Sequence, residues 1–267
     1  MAYPTRPVSG GLPELSDAAA WRQRSAFNLA AFSEHSARAM ARPRQRWDDV
    51  WAGSGPYAGP DQNGATLLRP LDQEQVDHLL GRLDRFYAGQ PEMPWWLWNA
   101  WPSADLHLPG LEHVTSIPIM VRLPGAALPT PPPELRVVEA VDAATLADGE
   151  RIMVDGGPIP VFQPLRTGSM LDTRILGGPL RMWVGYVNDR AIATATGFSD
   201  ARVNGLYGVV TMAEGRGRGY GTALTARAIA AKPTLPAVLT ASTAGYGMYM
   251  RLGFTEVARY DLWVKPR

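Results

Sequence analysis

The sequence predicts a mixed α and β protein assembled from two similar halves. Three observations predict it. Strand-like apolar runs alternate with amphipathic helical stretches along the chain. A proline-rich break, Pro124-Gly-Ala-Ala-Leu-Pro-Thr-Pro-Pro-Pro133, divides the chain near its middle. A segment of the first half also recurs near the C-terminus. The length of 267 residues suits two domains of ordinary size better than one small one.

In the first half, residues 18–42 read as a helix and 48–52 and 66–69 as short strands. Residues 71–87 place Leu71, Val76, Leu79, Leu80, Leu83 and Phe86 on one helical face. Strands follow at 95–98 and 114–121. The proline-rich stretch resists both helix and ladder pairing and reads as an extended linker. Beyond it come a strand at 135–139, a helix at 143–154 and strands at 181–188, 191–197 and 206–212. A helix at 221–232, a strand at 237–240, a short helix at 245–252 and a strand at 257–265 complete the chain. The expected division is 1–124, a linker at 125–133, and 134–267.

The recurrence supports a duplicated unit. Gly110-Leu-Glu-His-Val-Thr-Ser-Ile-Pro-Ile-Met-Val-Arg122 aligns without a gap on Gly253-Phe-Thr-Glu-Val-Ala-Arg-Tyr-Asp-Leu-Trp-Val-Lys265. Glycine, valine and a basic residue recur in step, and the elements upstream fall in a similar order.

Composition narrows the function. The net charge of +1 gives no global field for nucleic acid or an acidic membrane. The absence of cysteine removes disulfides, thiolate catalysis and cysteine-ligated metals. His35, His78, His107 and His113 all lie in the first half without metal-ligand spacing, so no metal is expected. No signal-peptide core or membrane-length apolar run is visible, which makes a cytoplasmic location the expectation.

The chemical signal lies where the apolar run 206–212 enters Ala213-Glu-Gly-Arg-Gly-Arg-Gly-Tyr-Gly221 and then a helix. Glycines there let several backbone N–H groups converge with no Cβ in the way. The helix start adds the positive end of its dipole, so a pyrophosphate fits. Arg216 and Arg218 add charge. A Walker loop is excluded for want of lysine followed by Ser or Thr. The dinucleotide pattern fails because Thr222 or Tyr220 occupies its last position. What remains is Arg216-x-x-Gly219-x-Gly221, and after the next strand comes Tyr249-x-x-x-Gly253-Phe254.

This ordered pair of motifs resembles the GNAT superfamily of acyl-CoA N-acyltransferases, over about residues 135–265. The resemblance implies an α+β tandem GNAT-like fold, each half a twisted, mostly antiparallel sheet flanked by helices. It implies acetyl-CoA as cosubstrate, its pantetheine arm between splayed strands ending near Met212 and at 237–240. Backbone amides from Arg216 through Gly217, Arg218, Gly219, Tyr220 and Gly221 to Thr222 would hold the pyrophosphate. An amide near Val210 or Thr211 would face the thioester carbonyl. Tyr249 matches the family's general acid, and Ser242 would touch the pantetheine or orient Tyr249 through water.

No general base is legible. Asp155, Asp172, Asp200 and Glu214 are candidates, each more readily read as a plain surface carboxylate; a water chain or an amine arriving neutral would also serve, and no base is assigned. Aligned on the recurrence, Tyr249 corresponds to Leu106, and residues 73–78 stand opposite 216–221 with no glycine. The first half thus reads as a degenerate copy without a phosphate site. The aromatic run 94–101 reads either as an acceptor-pocket wall or as interdomain core. The expected activity is acetyl transfer to a primary amine of a small molecule or amino-acid-like acceptor, without nucleic acid or membrane. A protein acceptor, a noncatalytic acyl-CoA-binding module and a homodimer stay open.

Overall fold

The order of elements follows the periodicity closely. The computed structural model describes residues 12–90, 93–102, 107–157 and 159–266. Its first half contains α1 (Ala18–Ala39), β1 (Arg44–Arg46), β2 (Val50–Gly53), β3 (Gly64–Leu67), α2 (Gln73–Ala88), β4 (Trp95–Asn99) and β5 (Glu112–Arg122). Then come β6 (Arg136–Glu139), α3 (Ala143–Gly156), β7 (Leu180–Val187), β8 (Arg190–Ser199) and β9 (Asn204–Thr211). Last are α4 (Tyr220–Ala230), β10 (Ala237–Thr240), α5 (Thr243–Arg251) and β11 (Thr255–Lys265). Only β1 lacks a sequence signal, being three residues of Arg and Gln.

All these strands join one sheet in the order β1-β2-β3-β4-β11-β5-β10-β9-β8-β7-β6. The centre of that order records a reciprocal exchange. β5 closes the first half in sequence yet pairs with β10, from Ala237↔Arg122 to Thr240↔Ile119. β11 closes the chain yet pairs with β4, from Asp261↔Asn99 to Lys265↔Trp95. The two exchanged strands pair antiparallel with each other.

The recurring segment is this central ribbon, and three of its four shared positions have physical reasons. The end pairs are Thr255↔Val121 and Val264↔Glu112, which the sequence alignment maps onto each other. Each strand carries one bulge, with Val257 the extra residue on β11 and Val114 on β5. These two valines align with each other, as Val121 and Val264 do at the ladder ends; a bulge adds local twist where two half-sheets must merge. Gly110 and Gly253 adopt φ of +77° and +83°. A Cβ on Gly110 would lie 3.5 Å from the Lys265 stem, and one on Gly253 would lie 3.7 Å from Arg122 Nε. Each half's glycine therefore turns beside the other half's basic residue.

The two basic residues differ in weight. Arg122 is 4% exposed and donates to the carbonyls of Leu252, Ala126 and Ala127. Lys265 holds the half-exposed Asp84 at 2.7 Å. Arg122→Ala should cost about 1–3 kcal/mol, since it strands the buried Leu252 carbonyl that a charged donor satisfied. Lys265→Ala should cost under about 1 kcal/mol, as exposed ion pairs do. Urea denaturation of both variants checks the order; equal losses would refute this account of the ribbon.

Helices cover both faces around the second half. α1 and α3 share an apolar cluster with Leu180, Met182 and Phe198. α4 and α5 share another with Trp183, Leu206 and Leu239. Met182 and Trp183 are neighbours on one strand, so alternation puts the clusters on opposite faces. The aromatic run is core: Trp95, Trp98 and Trp101 are buried with Tyr87, Leu97 and Tyr260. Trp95 stacks on Tyr87 at 4.9 Å, and Trp98 meets Tyr260 edge-on at 5.4 Å.

Candidate active site

β9 and β10 run parallel but pair only at Asn204↔Ala237 and Gly205↔Val238. Past those pairs they splay. Meanwhile the β8–β9 register slips between Thr194 and Thr196, with Gly208 at φ +55° in the bulge. Beyond it Met212 N–H donates to Ile192 O at 2.9 Å. Antiparallel alternation then turns Val210 N–H toward β8 as well, and Thr211 N–H and C=O toward the splay. Of the two expected amides, Thr211 faces the opening and Val210 is used by the ladder.

The start of α4 forms the floor of the same cleft. Gly219 is its N-cap at φ +81°, a conformation that only glycine adopts without strain, and no side chain caps the helix. Among the described residues, no acceptor meets the backbone N–H groups from Gly217 to Thr222. A Cβ on Gly221 would lie 3.1 Å from Thr211 Oγ1 and 3.6 Å from Met248 Sδ, so this glycine keeps the gap between β9 and α5 open. Arg216 donates from Nε to Thr211 O and from Nη2 to Gly156 O, which fixes its charge beside the N–H run.

Other expected residues are placed differently. Tyr220 is buried with its hydroxyl on Glu134 at 3.0 Å, so it offers the cleft its backbone. Arg218 is exposed outside the cleft lining. Met212 spends its N–H on β8 and packs its sulfur toward Gly156, also outside that lining. Leu106, the residue aligned with Tyr249, lies outside the described residues.

Tyr249 lines the cleft from α5 and is 7% exposed. Its ring meets Phe254 at 5.8 Å and lies over Gly245, where a Cβ would come within 2.8 Å of Cε2. Burial pushes the phenol up to about 12, so it keeps its proton at neutral pH. Ser242 is the N-cap of α5, its Oγ accepting from Gly245 N–H at 3.2 Å. That hydroxyl keeps its own proton to donate into the cleft.

The cleft measures about 840 Å³, and no carboxylate is among its lining residues. The four candidate bases are engaged elsewhere. Asp155 accepts from Gln163, and Asp172 is held near 2 by Arg174. Asp200 caps a turn at Arg202 and Val203, and Glu214 pairs with Arg190. No group of three His, Asp or Glu poised to hold a metal occurs among the described residues. No helix there is long and apolar enough to cross a membrane.

Two features of the site went unread in the sequence. Gly156 and Gly157 end α3 and form one wall of the cleft. Gly208 marks the bulge, and an isolated glycine inside a strand pattern is the signal that could have found it.

No protein-family model matches the sequence, and no curated protein does. Solved structures do match. A GCN5-related N-acetyltransferase from Kribbella flavida superposes with TM-score 0.66 over 92% of this chain and 96% of that one, at 17% identity. The chain has the fold of the GCN5-related N-acetyltransferases. A tandem GNAT protein from the clavulanic acid biosynthesis pathway matches with TM-score 0.56 over 95% and 96%, at 14% identity. A GCN5-related N-acetyltransferase from Sphaerobacter thermophilus matches with TM-score 0.51 over 95% and 94%, at 15% identity. At such identities the likeness is one of fold, and it spans both halves.

The two halves of this GNAT-fold chain treat the equivalent helix start differently. β3 and β4 pair at Gly64↔Trp96, Ala65↔Leu97 and Thr66↔Trp98, over all of β3 but its last residue. Asp72 caps α2 by accepting from Gln75 N–H, while the Gln75 side chain accepts from Asp72 N–H. This capping box occupies N–H groups that stay free at α4.

Proposed function

We propose that the chain is an N-acetyltransferase that moves an acetyl group from acetyl-CoA to a primary amine of a small-molecule or amino-acid-like acceptor by direct attack. The observation that carries this reading is the free N–H run from Gly217 to Thr222 opening into the cleft that Tyr249 lines. Unsatisfied amides at a helix start, beside the Arg216 guanidinium, suit a pyrophosphate. The uncovered space at Gly221 suits the narrow arm that must pass between β9 and α5.

Bound acetyl-CoA supplies an acyl carbon to which the amine nitrogen bonds as the carbon–sulfur bond breaks. Thr211 N–H is the backbone donor turned toward the splay, fitted to hold negative charge on an acyl oxygen. Tyr249 holds the proton that a departing thiolate takes. Ser242 orients the approach from the cap of α5. We further propose that residues 134–267 carry the chemistry and that the first half, 1–124, holds no acyl-CoA.

Titration calorimetry of the full chain with acetyl-CoA should therefore saturate at one equivalent. The asymmetry follows from the capping box, because Asp72 and Glu74 at the start of α2 repel a pyrophosphate as well as covering the backbone. Saturation at two equivalents would reject the assignment of the halves, and no binding would reject the transferase reading itself.

A further inference from the structure

We infer that the acceptor is a primary amine on an apolar body, seated in a methionine-lined pocket between the two halves. This deepens the transferase reading above and rests on it. A narrow pocket of about 60 Å³ lies on the α1 and α3 side of the sheet, lined by Phe32, Met153, Met170, Leu171, Met182 and Gly208 among others. Its inner end is the β9 bulge. There Gly208 borders the pocket, while its neighbour Val209 borders the cleft. The two cavities thus touch the same strand at adjacent residues from opposite faces.

The partition between them is thin. A Cβ on Gly208 would lie 3.1 Å from Met153 Cε, so the Met153 side chain covers a bare backbone. Met153 sits one helical turn before Gly156 and Gly157, which wall the cleft. A methionine thioether has three rotatable bonds and shifts at little cost. At about 60 Å³ the pocket is smaller than the roughly 150 Å³ that an aromatic ring fills, so displacement of Met153 must both enlarge it and join it to the cleft, admitting a nucleophile from the side away from α4 and α5.

The lining chooses the class of amine. Met170 is 4% exposed and Met182 2%, and both pack in apolar clusters. The Tyr207 hydroxyl at the same wall is already donated to Asn28 Oδ1 at 2.7 Å. Charge enters the lining at Asp61, which accepts from Tyr57, and at Arg42, which donates to Gln62; Ser33, Ser36 and Thr196 add hydroxyls, of which Ser36 Oγ is buried without a partner and can take the amine end. An ammonium entering past those charges loses hydration, and burial favours its neutral form. The neutral amine is the nucleophile, which accounts for a cleft lining without a carboxylate base. After attack, the surplus nitrogen proton passes to water.

The test uses the full chain with acetyl-CoA and a panel of amines, reading thiol release, plus calorimetry of phenethylamine binding to the protein alone. Phenethylamine and hexylamine should exceed putrescine and glycinamide in kcat/KM by about 100-fold, the scale of a buried apolar side chain. Leu171→Gln, at a half-buried position, should raise both KM and the calorimetric Kd for phenethylamine by about tenfold, with acetyl-CoA affinity unchanged. Should that variant fail to fold, Met153→Ala serves, with an expected gain for a bulkier naphthyl amine. Preference for polar amines while acetyl-CoA still binds would overturn the pocket and leave the transferase reading standing. If acetyl-CoA does not bind, that reading fails, and phenethylamine calorimetry alone decides the pocket: binding weakened by Leu171→Gln supports it, no binding overturns it.

Discussion

Gly221→Val is expected to weaken acetyl-CoA binding by about 100-fold or more, equivalent to roughly 2.7 kcal/mol. The position has ordinary helical geometry, so valine meets no backbone strain there. Helix propensity even favours valine over glycine by a few tenths of a kcal/mol. The cost falls on the cleft: the first added carbon would already stand 3.1 Å from Thr211 Oγ1, and the branch methyls would fill the space toward Met248. Melting temperature should stay close to wild type while calorimetric affinity collapses. Gly221→Ala, adding only the first carbon, should fall between the two. A folded valine variant with unchanged affinity would remove the pyrophosphate and pantetheine arm from this cleft.

Tyr249→Phe is expected to lower kcat by about 10²–10⁴-fold with little change in acetyl-CoA affinity, the range for losing a positioned general acid. Phenylalanine keeps the ring contact with Phe254 and the cover over Gly245. Burial alone raises the phenol, to about 12. The acid therefore stays protonated through neutral pH, and it should impose no falling limb on the wild-type rate below about pH 11. The raised value has a stability counterpart with a definite sign. Between about pH 10 and 12 the unfolded chain releases a proton that the folded chain keeps, so stability falls as pH rises through that window. The phenylalanine variant should lose that part of the alkaline dependence. Unchanged turnover, measured where chemistry limits the rate, would exclude Tyr249 from the mechanism.

The sequence by itself determined the local features of this protein. Apolar periodicity located the helices and nearly every strand, because burial on one face is written residue by residue. β1 escaped because Arg44, Gln45 and Arg46 carry no apolar alternation. Glycines at positive φ and an uncapped helix start are also local, so the N–H run at α4 is legible in the sequence. The recurrence of Gly110–Arg122 at Gly253–Lys265 could be seen too, but not what it meant. Glycine, valine and a basic residue recur because each half's last strand enters the other half's sheet, and pairings across so many residues leave no local trace. The same reason hid the fate of individual groups. Only the register of β8 with β9 chose Thr211 over Val210, and only packing sent Met212 away from the cleft and buried Trp95, Trp98 and Trp101 in a core. The wall shared by Gly208 and Met153 comes from two elements that meet only when the sheet is assembled, so the pocket behind the bulge belongs wholly to the tertiary structure.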